Sequence, residues 1–281
     1  MSTGRNRSEG WTYAKRSGHE NEQRAKAKFD DEHFCKVFSN RLGIGRIVSA
    51  DVGGLHEKSV PGVFGRKTKS KTDLKLHLDD GSIINISIKK SWGGQAAYQT
   101  IDSFLQGFEK QFALTVPDDI KYLFNLFFSS TPDAKEILED PKVINKQNEY
   151  WVDIQKRHNC LNWTSLQNWD SSSANKFLQW FKDNIGSLAE YCFAKGLASD
   201  SDEWVDYIWF INLLGDEDLD EILSIKDIVD TVNKHPEEVI PGTKNGGTTI
   251  QLPFGFAQWH HAKIQVHDDL SKLLKWDINC L

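Results

Sequence analysis

Lys71-Thr72-Asp73-Leu74-Lys75-Leu76-His77-Leu78, Asp79-Asp80-Gly81-Ser82 and Ile83-Ile84-Asn85-Ile86-Ser87-Ile88-Lys89 follow one another without interruption. Leucine recurs at 74, 76 and 78 and isoleucine at 84, 86 and 88, the period of two that puts apolar side chains on one face of a strand. The Asp-Asp-Gly-Ser stretch between them has the composition of a tight turn, so the spacing predicts a hairpin with strands Leu74 to Leu78 and Ile83 to Lys89. Asp73, Lys75 and His77 then share the polar face of the first strand, and Asn85, Ser87 and Lys89 that of the second. An antiparallel return brings Asp73 to the far end of its partner, where Ser87 and Lys89 sit. A carboxylate, a hydroxyl and an amine converge.

Outward from the hairpin, Ser17-Gly18-His19-Glu20 has the spacing of a capping box, and the spacing predicts one helix running to about Phe38 with Ala25, Phe29, Phe34, Val37 and Phe38 on its apolar side. Ile44 to Asp51 reads as a strand. Ile101, Phe104, Leu105, Phe108 and Phe112 fall at helical spacing, Pro117-Asp118-Asp119 opens a helix through Phe128, and Trp204 to Ile211 reads as a buried strand. The class is α/β, a central mixed β-sheet flanked by helices. Linker-like stretches are short (Asp51 to Lys71, Ser199 to Glu203, His235 to Gly247), so one domain is expected over 1–281, with a basic catalytic portion to about 115 and helical and recognition elaborations from about 116. Trp151, Trp163, Trp180, Trp204 and Trp209 sit in apolar surroundings and are expected in the core, whereas Trp92 adjoins the hairpin.

The net charge of −6 hides a division. Residues 1–100 hold 18 Lys+Arg against 11 Asp+Glu, a balance of +7, and the rest hold 16 against 29, a balance of −13. A polyanion is drawn to the N-terminal portion, although the basic segment pairing with the acidic remainder explains the split equally well. Cys35, Cys160, Cys192 and Cys280 are far apart and form neither a zinc knuckle nor a disulfide framework, which fits a reducing cytoplasm. A membrane span would need about 18 consecutive apolar residues. No such stretch occurs, and no membrane partner is expected.

Phosphodiester hydrolysis needs a cation, held by carboxylate, to neutralise the phosphate and acidify a water. Asp73 suits that ligand, the Ile88 backbone carbonyl a further oxygen, and Lys89 the group that orients or deprotonates the water.

Lys71-Thr72-Asp73, the hairpin, and Ile86-Ser87-Ile88-Lys89-Lys90-Ser91 together resemble the PD-(D/E)-x-K nuclease superfamily, specifically its Type II restriction endonucleases. Gly18-His19-Glu20-Asn21-Glu22, Gln95 and Pro253-Phe254-Gly255-Phe256-Ala257-Gln258-Trp259-His260 extend the resemblance over much of the chain. It implies a restriction-endonuclease-like core, Mg²⁺, double-stranded DNA as substrate, and a cognate DNA methyltransferase acting on the same site. A homodimer is left open. It also implies Asp73 as metal ligand, position 87 as a second ligand position, Lys89 as the catalytic lysine, and Glu22 on the first helix reaching the metal. Ser87 departs from the pattern, which has an acid there. A site short of one carboxylate would recruit Glu22, hold one ion rather than two, or complete its shell with DNA phosphate, and an inactive relative is an alternative.

Arg66, Lys67, Lys69 and Lys71 precede the aspartate and are expected on backbone phosphates. Gln258 and His260 alternate onto one strand face and are expected at base edges. Gln95 either positions water or phosphate near Lys89 or caps the following helix. His260, His261 and His267 lack the spacing of a zinc site. The competing functions are a repair or recombination nuclease without strict sequence specificity and a non-catalytic DNA-binding protein. A methyltransferase is disfavoured, since neither a glycine-rich cofactor loop nor an Asn-Pro-Pro segment occurs.

Overall fold

The hairpin forms as the alternation requires. In the computed structural model, which describes residues 18–53, 59–215, 219–242 and 247–281, strand β4 (Leu74–Leu78) pairs antiparallel with β5 (Ile83–Lys89), Leu74 opposite Ile86 and Leu76 opposite Ile84. Gly81 takes the positive φ of 84° that the turn demands. β4 also pairs antiparallel with β1 (Ile47–Val52) on its other side. β5 pairs in parallel with β7 (Tyr207–Ile211), and β7 antiparallel with β8 (Asp220–Ser224), giving a mixed five-stranded sheet of order β1-β4-β5-β7-β8. β2 (Ser59–Pro61) and β3 (Lys67–Lys69) form a separate two-stranded ribbon.

The sheet and its helices make up the first of two compact units, residues 1–92, 197–227 and 279–281. The division falls at Gly93, earlier than the sequence-based boundary near 115, and 197–227 returns to complete the first unit. Part of the acidic remainder therefore lies inside the unit that holds the basic portion: Lys75 pairs with Glu203 at 2.6 Å and Arg41 with Asp220 at 2.6 Å.

Helix α1 (18–27) and α2 (Glu32–Leu42) cover one face of this sheet. The single long helix expected from Ser17 to Phe38 is interrupted by a 3₁₀ turn at Lys28–Asp30. Asp31 is extended there (φ −97°, ψ 115°) and its side chain accepts from the His33 N–H, which caps α2 afresh. Ser17 lies outside the described residues. Glu20 serves in an ion pair with Arg24 at 2.6 Å. Ala25, Phe29 and Phe38 are buried with Leu74, Leu76, Leu78, Ile86, Ile88 and Trp209, and Phe34 packs against them, but Val37 is 49% exposed because the break rotates α2 away from a continuous stripe. Trp209 meets Phe38 edge to face at 4.9 Å and its indole N–H donates to Asp220 at 2.8 Å, so the ring is buried with its polar atom satisfied. The strand expected from Trp204 begins only at Tyr207, since Ser201–Glu203 forms a 3₁₀ turn.

The second unit, residues 93–196 and 228–278, contains an antiparallel sheet of order β6-β12-β11-β10-β9. Its strands are β6 (Gly93–Gln99), β9 (Ile240–Gly242), β10 (Thr249–Leu252), β11 (Gly255–Trp259) and β12 (Ile264–Asp269). α3 (Ile101–Phe112) and α4 (Asp118–Phe128) form where the spacing placed them, and with the helix Ser171–Asp183 they bury Phe104, Phe108, Phe124, Phe127, Phe177 and Phe181 in one aromatic core. Trp180 and Trp209 are buried, whereas Trp151, Trp163 and Trp204 keep part of their surface. The architecture is mixed α/β with a mixed sheet flanked by helices. No helix among the described residues is long and apolar enough to cross a membrane.

Candidate active site

Asp73 stands one residue before β4, opposite the point where β5 outruns its partner. Its own N–H donates to Ile86 O at 2.9 Å, closing the ladder. Its carboxylate Oδ2 accepts from the Ile88 N–H at 2.8 Å and from the Ser87 hydroxyl at 3.1 Å. Ile88 therefore directs its amide to this flank, and since an extended residue turns its N–H and C=O the same way, its carbonyl opens there too.

The loop before Asp73 is pinned. Thr72 is fully buried, its hydroxyl donates to Glu203 O at 3.0 Å, and the Ser70 hydroxyl donates to the same carbonyl at 3.2 Å. Gly53 donates its N–H to Asp73 O at 2.8 Å, and a Cβ at that glycine would fall 2.2 Å from Thr72 O. Only a residue without a side chain permits so close a backbone approach.

Glu22 comes from α1. Asn21 beside it is buried, donates to Ile211 O at 2.8 Å and accepts from the Leu213 N–H at 2.8 Å, which ties the helix to the end of β7. Glu22 is 15% exposed, and its Oε2 is buried without a hydrogen-bond partner. Burial, with a smaller contribution from the Asp73 charge, pushes its carboxyl from 4.5 up to about 8 against the pull of the Lys89 ammonium. Asp73 too is held above the usual carboxylate range by burial, opposed by Lys89, the Ile88 N–H, the Ser87 hydroxyl and Lys71. Two carboxyls and the lysine thus share one electrostatic neighbourhood at the end of β5.

Among the described residues no three His, Cys, Asp or Glu side chains gather as a metal centre would. The donors present are two carboxylates and backbone and hydroxyl oxygens, the hard oxygen chemistry that suits Mg²⁺. A buried Glu22 oxygen that makes no hydrogen bond, with His19 Nδ1 3.5 Å away, and two carboxyls that burial resists ionising fit a group that brings positive charge.

The rest of the expected polar face serves other ends. Asn85 is buried and donates to Asp202 O and Trp204 O at 3.0 and 2.8 Å, and His77 pairs with Asp51 at 3.0 Å. Arg66, Lys67 and Lys69 are exposed around β3, and Lys71 is near enough to lower the Asp73 carboxyl. Trp92 stacks on Phe210 at 4.3 Å. Gln95, Gln258 and His260 belong to the second unit. Gln95 does not cap the helix that follows it: Thr100 does, accepting from the Ser103 N–H, while Gln95 accepts from Gln265 at 2.6 Å. His19 is not among the site residues expected from the sequence, yet its Nδ1 lies 3.5 Å from Glu22 Oε2. The signal for it is its position one helical turn before an acid.

The fold is restriction-endonuclease-like. Among solved structures the chain is similar to the restriction endonuclease MspI, described in complex with its cognate DNA, at a TM-score of 0.50 and 12% identity over 94% of this chain and 93% of that one. No protein-family model and no curated protein matches the sequence.

Proposed function

We propose that this chain is a Mg²⁺-dependent DNA endonuclease of the Type II restriction kind, cutting both strands of double-stranded DNA at a short site. The observation that carries the reading is the shared neighbourhood of Glu22, Asp73 and Lys89 at the end of β5. Glu22 and Asp73, with the Ile88 carbonyl, would hold the cation. When bound, Mg²⁺ neutralises charge on the scissile phosphate and lowers the pKa of a bound water.

The chain's own residues do the remaining work. Lys89 orients the attacking water and offsets negative charge developing on the phosphate. Ser87 and the Ile88 amide hold Asp73 Oδ2, so serine replaces a third anion with a hydrogen-bond donor. With two carboxylates the site is suited to one ion. Arg66, Lys67, Lys69 and Lys71 grip backbone phosphates. A second copy of the chain would supply the second cut, and a methyltransferase acting on the same sequence would protect the host.

Digestion of phage DNA tests this. Discrete fragments with Mg²⁺, none with EDTA, and none from Lys89→Ala, which still shifts duplex DNA in a gel, are expected. A smear would indicate a nuclease without strict specificity. Lys89→Ala cutting at the normal rate would remove the assigned role of the lysine.

A further inference from the structure

One face of the second unit's sheet carries an unusual pair of rows. Strand register places Gln251, Phe256, His267 and Gln95 side by side across β10, β11, β12 and β6, and Thr249, Gln258, Gln265 and Tyr98 beside them. Neither row contains a carboxylate, and Lys263 lies over the Tyr98 ring at 4.8 Å. The opposite face holds Ala257, Ile264 and Val266, which are buried.

Within the rows the hydrogen bonds have a fixed direction. The Gly94 carbonyl, 3.2 Å from His267 Nδ1, can only accept, so Nδ1 is the donor and, in that tautomer, Nε2 is an acceptor. Gln258 Nε2 lies 3.1 Å from that Nε2 and therefore donates to it, and also donates to Gln265 Oε1 at 2.9 Å. Gln265 in turn donates to Gln95 Oε1 at 2.6 Å. Each amide's orientation is dictated by the one before it, and the first is dictated by a backbone carbonyl. Phe256 stacks on the imidazole at 4.7 Å and 22°, which holds the ring that starts the relay.

The two ends of the relay differ in kind. Both amide protons of Gln258 are engaged, which leaves its Oε1 as an acceptor, whereas Gln95 has its oxygen engaged and keeps its amide donors. β12 separates the two, so they stand about 10 Å apart, or about three base-pair steps of B-DNA. In the major groove adenine and cytosine present amine donors, and guanine and thymine present acceptors.

We propose that this face reads duplex DNA, with Gln258 Oε1 selecting a base that bears an exocyclic amine and the Gln95 amide selecting an acceptor-bearing base about three steps away. Gln265 and His267 are positioning residues that set the polarity of both readers. This rests on the endonuclease reading and adds to it the residues that choose the sequence.

The test is selection from a randomised duplex library by the full chain carrying Lys89→Ala, with Mg²⁺ present, followed by sequencing of the retained DNA. The Lys89→Ala chain should retain a defined motif. Gln258→Met, which keeps the packing, and His267→Leu, which lets the Gln258 amide turn over, should both relax the same amine-bearing position at least tenfold. Gln95→Ala should relax a different position, and melting temperatures report that each variant is folded. An unchanged motif in all three folded variants overturns the proposal while leaving the endonuclease reading intact if the chain with Lys89 still cuts. Retention without any motif overturns the proposal alone, whereas neither retention nor cleavage overturns both.

Discussion

At position 87 a carboxylate would stand against Asp73 Oδ2 as a third anion among groups that burial already resists ionising. Serine instead donates a hydrogen bond that favours the charged form of Asp73. In the proposed site the second carboxylate beside Asp73 is then Glu22, whose carboxyl burial pushes from the ordinary 4.5 up to about 8 in the folded chain. A folded-state pKa raised above the unfolded one means that the native state binds the extra proton, so this contribution to stability is complete below pH 4.5 and disappears as pH rises toward 8. In EDTA, melting temperature should fall across that window more steeply for the unsubstituted chain than for Glu22→Gln, by a few degrees on the order expected of about 1 kcal/mol. Mg²⁺ added at pH 8 should restore the former and not the latter. Equal slopes and equal Mg²⁺ responses would show that Glu22 is not a ligand.

Two elements carry the site's precision. α1 delivers Glu22 because Asn21 satisfies two backbone groups at the end of β7, a donor and an acceptor that share one amide. Asn21→Ala leaves both unpaired in a buried place, at a cost of about 2 kcal/mol or more. We expect cleavage to fall at least tenfold while duplex affinity stays nearly constant, measured by single-turnover cutting and gel shift. Loss of affinity in step with cleavage would place the helix in DNA binding instead. For the β2–β3 ribbon we propose a role in backbone contact instead. Replacing Arg66, Lys67 and Lys69 together by alanine should weaken binding to all sequences alike and flatten the dependence of log K on log salt by about 0.9 for each phosphate no longer neutralised. An unaltered slope would return these residues to a solvated loop.

At the scale of the whole molecule, the first unit is assembled from separated stretches of chain. A fragment of residues 1–92 contains the hairpin and α2 but lacks Trp209, Ile211 and Ile222, which complete the same core. Losing a buried tryptophan alone costs about 3–5 kcal/mol, a large part of a domain's whole stability of about 5–15 kcal/mol. The fragment should show no cooperative thermal transition by circular dichroism, whereas the full chain should. A cooperative melt of the fragment would mean that β4 and β5 are stable without their parallel neighbour.

Much of the fold is legible in the sequence where the physics is local. The hairpin, α3 and α4 can be read residue by residue, because a strand repeats every two residues and a helix every 3.6. The break at Asp31 cannot, since an aspartate inside an apolar-periodic stretch gives no sign of whether its carboxylate caps a helix or faces solvent. The sequence by itself placed Asp73 beside Ser87, because a slip of one residue would turn the leucines out of the core and the short turn fixes the register that remains. Only the tertiary structure decided that β7 lies beside β5, that Asn21 ties α1 to it, and that Glu22 enters the field of Asp73 and Lys89. Those contacts join residues more than a hundred positions apart or on different elements, and their energy comes from burial and desolvation, which no run of neighbouring residues encodes.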